Sequence, residues 1–189
     1  MKVFAHTLCL FATFIGVSSA VKPRSIDEYW QHSTQVGSFQ SAWEAIGQEG
    51  VYYLRLATKG STYDCVTTRV TQTFPDKKTV HYRYRAYRES PQITEEFRGV
   101  YVVTNDTRGK ETTLDNLVNG KGSGQSQVVF TERGKCFVLY WTYAGVYQLW
   151  VQEKEKHYIP RSCEFAYWLV TYGLNTHVYL YKETCEHNV

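Results

Sequence analysis

The chain has 189 residues, 43% of them hydrophobic and 16% aromatic, with four prolines and a formal charge of +3. That is enough chain for one domain with a sizeable core and too little for two ordinary ones. The aromatic content excludes a disordered chain, and no heptad, G-X-Y or longer period recurs. A charge of +3 is too small to imply a nucleic-acid binder by itself.

Residues Met1 to Ala20 read as a secretory signal: Lys2 supplies the positive end, Val3 to Val17 is an apolar run, and Ser18-Ser19-Ala20 offers a cleavage site. The run is shorter than the roughly 20 residues a membrane-spanning helix needs, and His6 interrupts it. The mature protein is then expected to start at Val21, as one extracellular domain over 21–189. Cys9 leaves with the signal, and Cys65, Cys136, Cys163 and Cys185 remain. An even number of cysteines in an oxidising compartment implies two disulfides, with three pairings open. Asn105-Asp106-Thr107 is an N-glycosylation sequon in a plausible turn.

The first element is a short helix from Ser38 to Ile46, capped by Ser38, with Phe39, Trp43 and Ile46 on one face and Gly47 and Gly50 breaking it. From Val51 the period changes to two. Strands are predicted over Val51–Thr58, Cys65–Phe74, Thr79–Arg88, Thr94–Thr104, Glu111–Leu117, Gln125–Thr131, Cys136–Tyr143 and Val146–Gln152. The third alternates cleanly, with Val80, Tyr82, Tyr84 and Ala86 against His81, Arg83, Arg85 and Tyr87. Gly120 to Gly124 reads as a mobile loop, and Ala144-Gly145 as a tight hairpin turn. Pro160 to Tyr172 is a helix started by Pro160 or Ser162 and ended by Gly173, and a last short strand covers His177 to Lys182. Eight strands with tight turns and one late helix predict an all-β, antiparallel up-and-down barrel closed around a cavity.

Catalytic motifs are absent: no G-x-S-x-G, H-E-x-x-H or Walker loop occurs, and no G-x-G-x-x-G opens a helix after a strand. His32, His81, His157, His177 and His187 lack ligand spacing, so no metal is expected. Glu95 and Glu96 are adjacent on a strand and point to opposite faces, so they cannot flank one bond. His81, Arg83 and Arg85, with Arg88 nearby, form a basic stripe that reads first as a solvated face. No enzyme, cofactor, nucleic-acid or membrane partner is expected. The positive signal is a small barrel with aromatic faces, suited to holding one small ligand.

Ser41-Ala42-Trp43, Val51-Tyr52-Tyr53, Cys65-Val66, Tyr147-Gln148-Leu149-Trp150, Ile159-Pro160, Cys163 and the terminal Cys185-Glu186 together resemble the tick salivary histamine-binding lipocalins. The resemblance runs from about Ser38 to Glu186. It implies an eight-stranded lipocalin barrel packed by a C-terminal helix, and it selects the pairing Cys65 with Cys185 and Cys136 with Cys163. It also implies sequestration of host histamine or serotonin, without catalysis, in the service of immune evasion; some members take sterols or eicosanoids, or act on host proteins.

Position by position, the resemblance puts Glu95 at a carboxylate of the tighter amine pocket, with Asp64 the nearest candidate for that pocket's second acid. In the second pocket the expected acids are replaced by Gln127, Phe137 and Gln148. An ammonium buried in an apolar pocket without a paired charge is costly, so this second pocket is expected to hold no cationic amine. Tyr53, Trp141 and Trp150 are the candidate aromatic walls. The leading expectation is a monomeric amine scavenger. A neutral-lipid carrier, or an immunomodulator meeting a host protein through the basic stripe, is the alternative.

Overall fold

A computed structural model describes residues 39–60, 63–88, 92–107, 109–182 and 184–185. The signal segment Met1 to Ala20, Ser38, His32 and His187 lie outside the described residues. The order is a helix α1 (Ala42–Ile46), then β1 (Gly50–Ala57), β2 (Cys65–Phe74), β3 (Thr79–Arg88), β4 (Ile93–Thr104), β5 (Thr113–Val118), β6 (Lys121–Glu132), β7 (Cys136–Trp141) and β8 (Val146–Gln152). Helix α2 (Arg161–Val170) and a two-residue strand β9 (Val178–Tyr179) follow.

Every pairing is antiparallel. Strands β2 to β8 follow in sequence order, β8 pairs with β1, and β1 returns to β2, closing the eight-stranded up-and-down barrel. The seam is split. Strand β1 pairs with β2 only over Gly50–Tyr53, whereas Leu56 and Ala57 pair with β9. A register shift against β8 falls between Leu54 and Leu56, at the level where β1 passes from β2 to β9.

Alternation explains two cores. Tyr52, Leu54, Val66, Val80, Ala86, Leu114, Val128, Phe137, Leu139 and Trp150 point inward and form one cluster with Ala42, Ala45 and Ile46 of α1. Because α1 leads directly into β1, it closes the end of the barrel where β1 begins; the other end is the mouth. Val51, Tyr53, Val138, Tyr147, Leu149 and Val151 point outward, and Cys163, Ala166, Tyr167 and Val170 of α2 cover them. Counted from Cys163, the other three positions fall three, four and seven residues on, one stripe of the helix. Burying Val170 alone contributes about 1.5–3 kcal/mol.

Both disulfides are formed, Cys65–Cys185 and Cys136–Cys163. They close loops of 120 and 27 residues, for which the chain-entropy model gives about 5 and about 3.5 kcal/mol. The first ties the C-terminal segment to the start of β2, and the second ties α2 to β7.

Several local expectations are corrected. Ser41 caps α1, its Oγ accepting from the Glu44 amide at 3.2 Å. Phe39 precedes the helix and stacks on Phe130 outside the barrel instead of sharing a face with Ile46. The stretch predicted as a loop at Gly120 to Gly124 belongs mostly to β6. Asn119 (φ 52°) and Gly120 (φ 72°) turn the chain within two residues, so pairing with β5 resumes at Lys121. The β7–β8 turn spans four residues, with the Gly145 amide bonded to the Trp141 carbonyl at 2.9 Å. Pro160 caps α2, and the helix ends at Val170, with Thr171 at the C-cap and Gly173 (φ 84°) two residues further on. Tyr87 faces outward as expected, yet it is buried because it packs on the Cys65–Cys185 bridge.

Candidate functional site

The mouth half of the barrel collects the chemically distinctive inward side chains. On β4, Glu95 lies opposite Ala86 of β3, an inward position, and its carboxylate sits exposed at the rim. The Tyr63 hydroxyl donates to it, and that carboxylate raises the tyrosine's pKa. The Arg88 guanidinium lies 5.0 Å from the centre of the Tyr63 ring and hydrogen-bonds the same hydroxyl oxygen, which pulls in the opposite direction. Glu95, Tyr63 and Arg88 thus form one chain of polar contacts across the rim.

Below this rim the wall is aromatic. Tyr84 stacks on Phe97 at 4.5 Å, and Tyr82 on Tyr101 at 4.3 Å. The Tyr82 hydroxyl donates to Asn116 Oδ1 at 2.5 Å. Burial pushes Tyr82 up to about 12, while its hydrogen bonds with Asn116 and Tyr101 pull the other way. Tyr84 and Tyr101 are raised well above the usual tyrosine range, first by burial and then by neighbouring tyrosines, with Glu95 adding to the effect on Tyr84. These rings therefore stay neutral hydroxyl donors at physiological pH. Thr68 lies between Tyr52 and Tyr84 in the lateral row, and its Oγ1 is buried without a hydrogen-bond partner. A buried orphan hydroxyl is a group that a bound polar atom would satisfy.

Strands β7 and β8 lie across the barrel from β4. There the Trp150 indole N–H donates to Gln148 Oε1 at 3.1 Å, and Trp150 stacks on Phe137 at 6.3 Å. The Gln148 carbonyl being engaged, its amide NH₂ is what the residue offers the lumen. Trp141 pairs with Ser126 on the same inward row near the mouth.

The structure therefore brings Glu95, Trp141, Gln148 and Trp150 to the inner face. Three other candidates point elsewhere. Tyr53 follows the inward Tyr52, so it faces out, where it meets Tyr181 edge-on at 5.1 Å in the cluster under α2. Gln127 pairs with the outward Tyr140. Asp64 precedes β2, and its carboxylate is 2.6 Å from Lys182 Nζ, beside the Cys65–Cys185 bridge. Asn105 is exposed just after β4, at the closed end. Tyr63, Tyr84 and Thr68 were not singled out from sequence. The alternation of β3 already put Tyr84 on the buried side, but Tyr63 lies in a connection where no period applies. Among the described residues no group of three or more His, Cys, Asp or Glu could hold a metal ion, and no helix is long and apolar enough to cross a membrane.

A closed antiparallel barrel, plugged at one end by a helix and lined at the other by aromatic rings and a few polar groups, defines a ligand-binding lipocalin. Residues 30–187 match the family model described as tick histamine binding protein, and the chain belongs to that family. Among solved structures it is similar to AM182 in a serotonin complex, with 19% identity, a TM-score of 0.60, and coverage of 76% of this chain and 91% of that one. It is also similar to Japanin from Rhipicephalus appendiculatus bound to cholesterol, at 15% identity and TM-score 0.55, covering 74% and 97%. A biogenic amine-binding protein follows at 13% identity and TM-score 0.51, covering 78% and 89%. At these identities the likeness concerns the fold. No curated protein matches the chain in sequence.

Proposed function

We propose that the protein is a secreted, monomeric, non-enzymatic scavenger that holds one biogenic amine, histamine or serotonin, in the mouth half of the barrel. Removing a host amine would dampen the local inflammatory response. The observation that carries this reading is the Glu95 carboxylate on the inner rim, oriented by the Tyr63 hydroxyl. A carboxylate held this way pairs with an ammonium through a charge-assisted hydrogen bond. Tyr84 and Phe97 below it offer ring faces that attract a cation by roughly 0.5–2 kcal/mol. The opposite wall carries Phe137 and Gln148 where a second acid pocket would need carboxylates, so one amine per barrel is the expected stoichiometry.

Calorimetric titration of the mature protein from Val21 with histamine and with serotonin tests the reading. One-to-one binding, weakened at least tenfold by Glu95→Gln with an unchanged near-ultraviolet spectrum, supports it. Unchanged affinity in that variant removes Glu95 from the site.

A second reading rests on the Thr68 hydroxyl, orphaned within an aromatic and aliphatic wall. A neutral lipid with one hydroxyl, such as a sterol, would satisfy it while burying apolar surface. Saturable cholesterol binding that Thr68→Val weakens, with no heat from either amine, would favour that reading.

A further inference from the structure

The outer wall away from α2 carries a charge pattern that a lumen ligand does not explain. Register places Arg69, Arg83 and Arg98 directly opposite one another on β2, β3 and β4, and all three are exposed. With strands about 4.8 Å apart, the row spans about 10 Å. Like charges directly opposite destabilise a strand pair, and here two such pairs share one arginine. The next row towards the mouth adds Arg85, between Thr67 and Glu96, with its Nε buried and lacking a partner. Among the described residues Glu96 relieves part of the row, its Oε1 3.3 Å from Arg83 Nε. One carboxylate does not neutralise four guanidinium groups.

The same face opens into a concavity of about 570 Å³ outside the barrel. Arg83 and Arg98 wall it, and His81, Thr71, Gln72 and Asn119 surround it. Gly99, which has no side chain, also lines it.

We propose that this face binds a sulfated polysaccharide of the glycosaminoglycan class, laid across the arginine row with one sulfated sugar in the concavity. Guanidinium groups present paired N–H donors that match the oxygens of a tetrahedral oxyanion. The Thr71 hydroxyl and the Gln72 and Asn119 amides pair with sugar hydroxyls. A protein partner fits less well, because stable protein interfaces have an apolar centre with charge at the rim. Here Arg69, Arg83 and Arg98 hold the centre of the row, and the apolar Tyr82, Val100 and Leu117 line the concavity beside it, where the C–H face of a sugar ring would pack. Bound in this way, the protein would be retained on an anionic extracellular matrix while its lumen stays open, since the two faces of one sheet serve the two ligands.

The test is titration of the mature protein with a heparin octasaccharide over a range of salt concentrations, beside its desulfated form and polyglutamate of equal charge. Expected is saturable binding that requires sulfate and weakens at least tenfold in the double variant Arg83→Gln/Arg98→Gln. The slope of log affinity against log salt should fall by about 1.5, as for two lost anion contacts. The variant Lys154→Gln/Arg161→Gln removes the same charge from the region of α2 and should bind like the parent. Glu95→Gln should also keep heparin binding, which separates this site from the amine site. No heparin binding, equal loss in the two double variants, or equal affinity for polyglutamate would each overturn the proposal.

Discussion

Glycine at position 99 decides the shape of the lumen. A Cβ there would lie 2.4 Å from the Tyr82 hydroxyl oxygen and 2.5–2.7 Å from two ring carbons, far inside contact distance. Tyr82 can lie across β4 only because position 99 has no side chain, and in that pose it stacks on Tyr101 and reaches Asn116. Gly99→Ala should therefore swing Tyr82 off its stack, a strain of about 1–3 kcal/mol. Thermal unfolding of the variant should show the loss, and near-ultraviolet dichroism should show the tyrosine environment changed. An unaltered spectrum would mean that the ring is not held as described. From sequence the inward placement of Tyr82 and Tyr84 was legible, because alternation in β3 is strict. Which of two adjacent tyrosines, Tyr52 or Tyr53, faces the lumen was not. A Val-Tyr-Tyr-Leu run is apolar on both faces and both faces are buried, so hydrophobicity carries no parity there.

At the scale of elements, α2 is positioned by more than its apolar stripe. The Glu132 carboxylate, at the end of β6, accepts from Lys135 across the turn and from Ser162 in the first turn of the helix. These donors, Lys135 first, lower its pKa below the usual glutamate value. A depressed carboxylate pKa gives stability that is present above the unfolded value, roughly 4.3, and lost as pH falls through the folded value. Melting temperature measured against pH should accordingly have a shallower acid limb in Glu132→Gln, with a small loss at neutral pH because the site is exposed. Parallel profiles for parent and variant would assign the acid limb to other carboxylates. None of this was legible in sequence, since Glu132 and Ser162 are 30 residues apart and meet only once α2 docks. The helix itself was legible from its Pro160 or Ser162 start and from the Gly173 that follows it. The β5–β6 hairpin was misread because Gly122 and Gly124 look like loop residues. Pairing with β5 keeps both in the strand, Gly124 at φ 128° beside a register shift, and Asn119-Gly120 supplies the whole turn.

For the molecule as a whole, the split seam links closure of the barrel to the rim site. Strand β1 leaves β2 after Tyr53, and the C-terminal segment occupies the mouth half of its edge. That segment is held by the Leu180 amide on the Arg55 carbonyl at 3.0 Å, by Lys182 on Asp64, and by the Cys65–Cys185 bridge. Tyr63, which orients Glu95, stands two residues before Cys65 on the connection that this bridge anchors. Replacing Cys65 and Cys185 with alanine should cost about 2–5 kcal/mol, and hydrogen exchange should show where. Amides of Leu54–Ala57 and β9 should open by local unfolding while β5–β7 stay protected. Amine affinity should fall with them, because a loosened Tyr63 no longer fixes the carboxylate. Replacing Cys136 and Cys163 with alanine closes the comparison: α2 should exchange faster, yet the rim, built from β3, β4 and the β1–β2 connection, should bind amine as before. Equal loss of affinity in both variants would make the effect one of global stability. Loss confined to the first ties the seam of the barrel directly to its ligand.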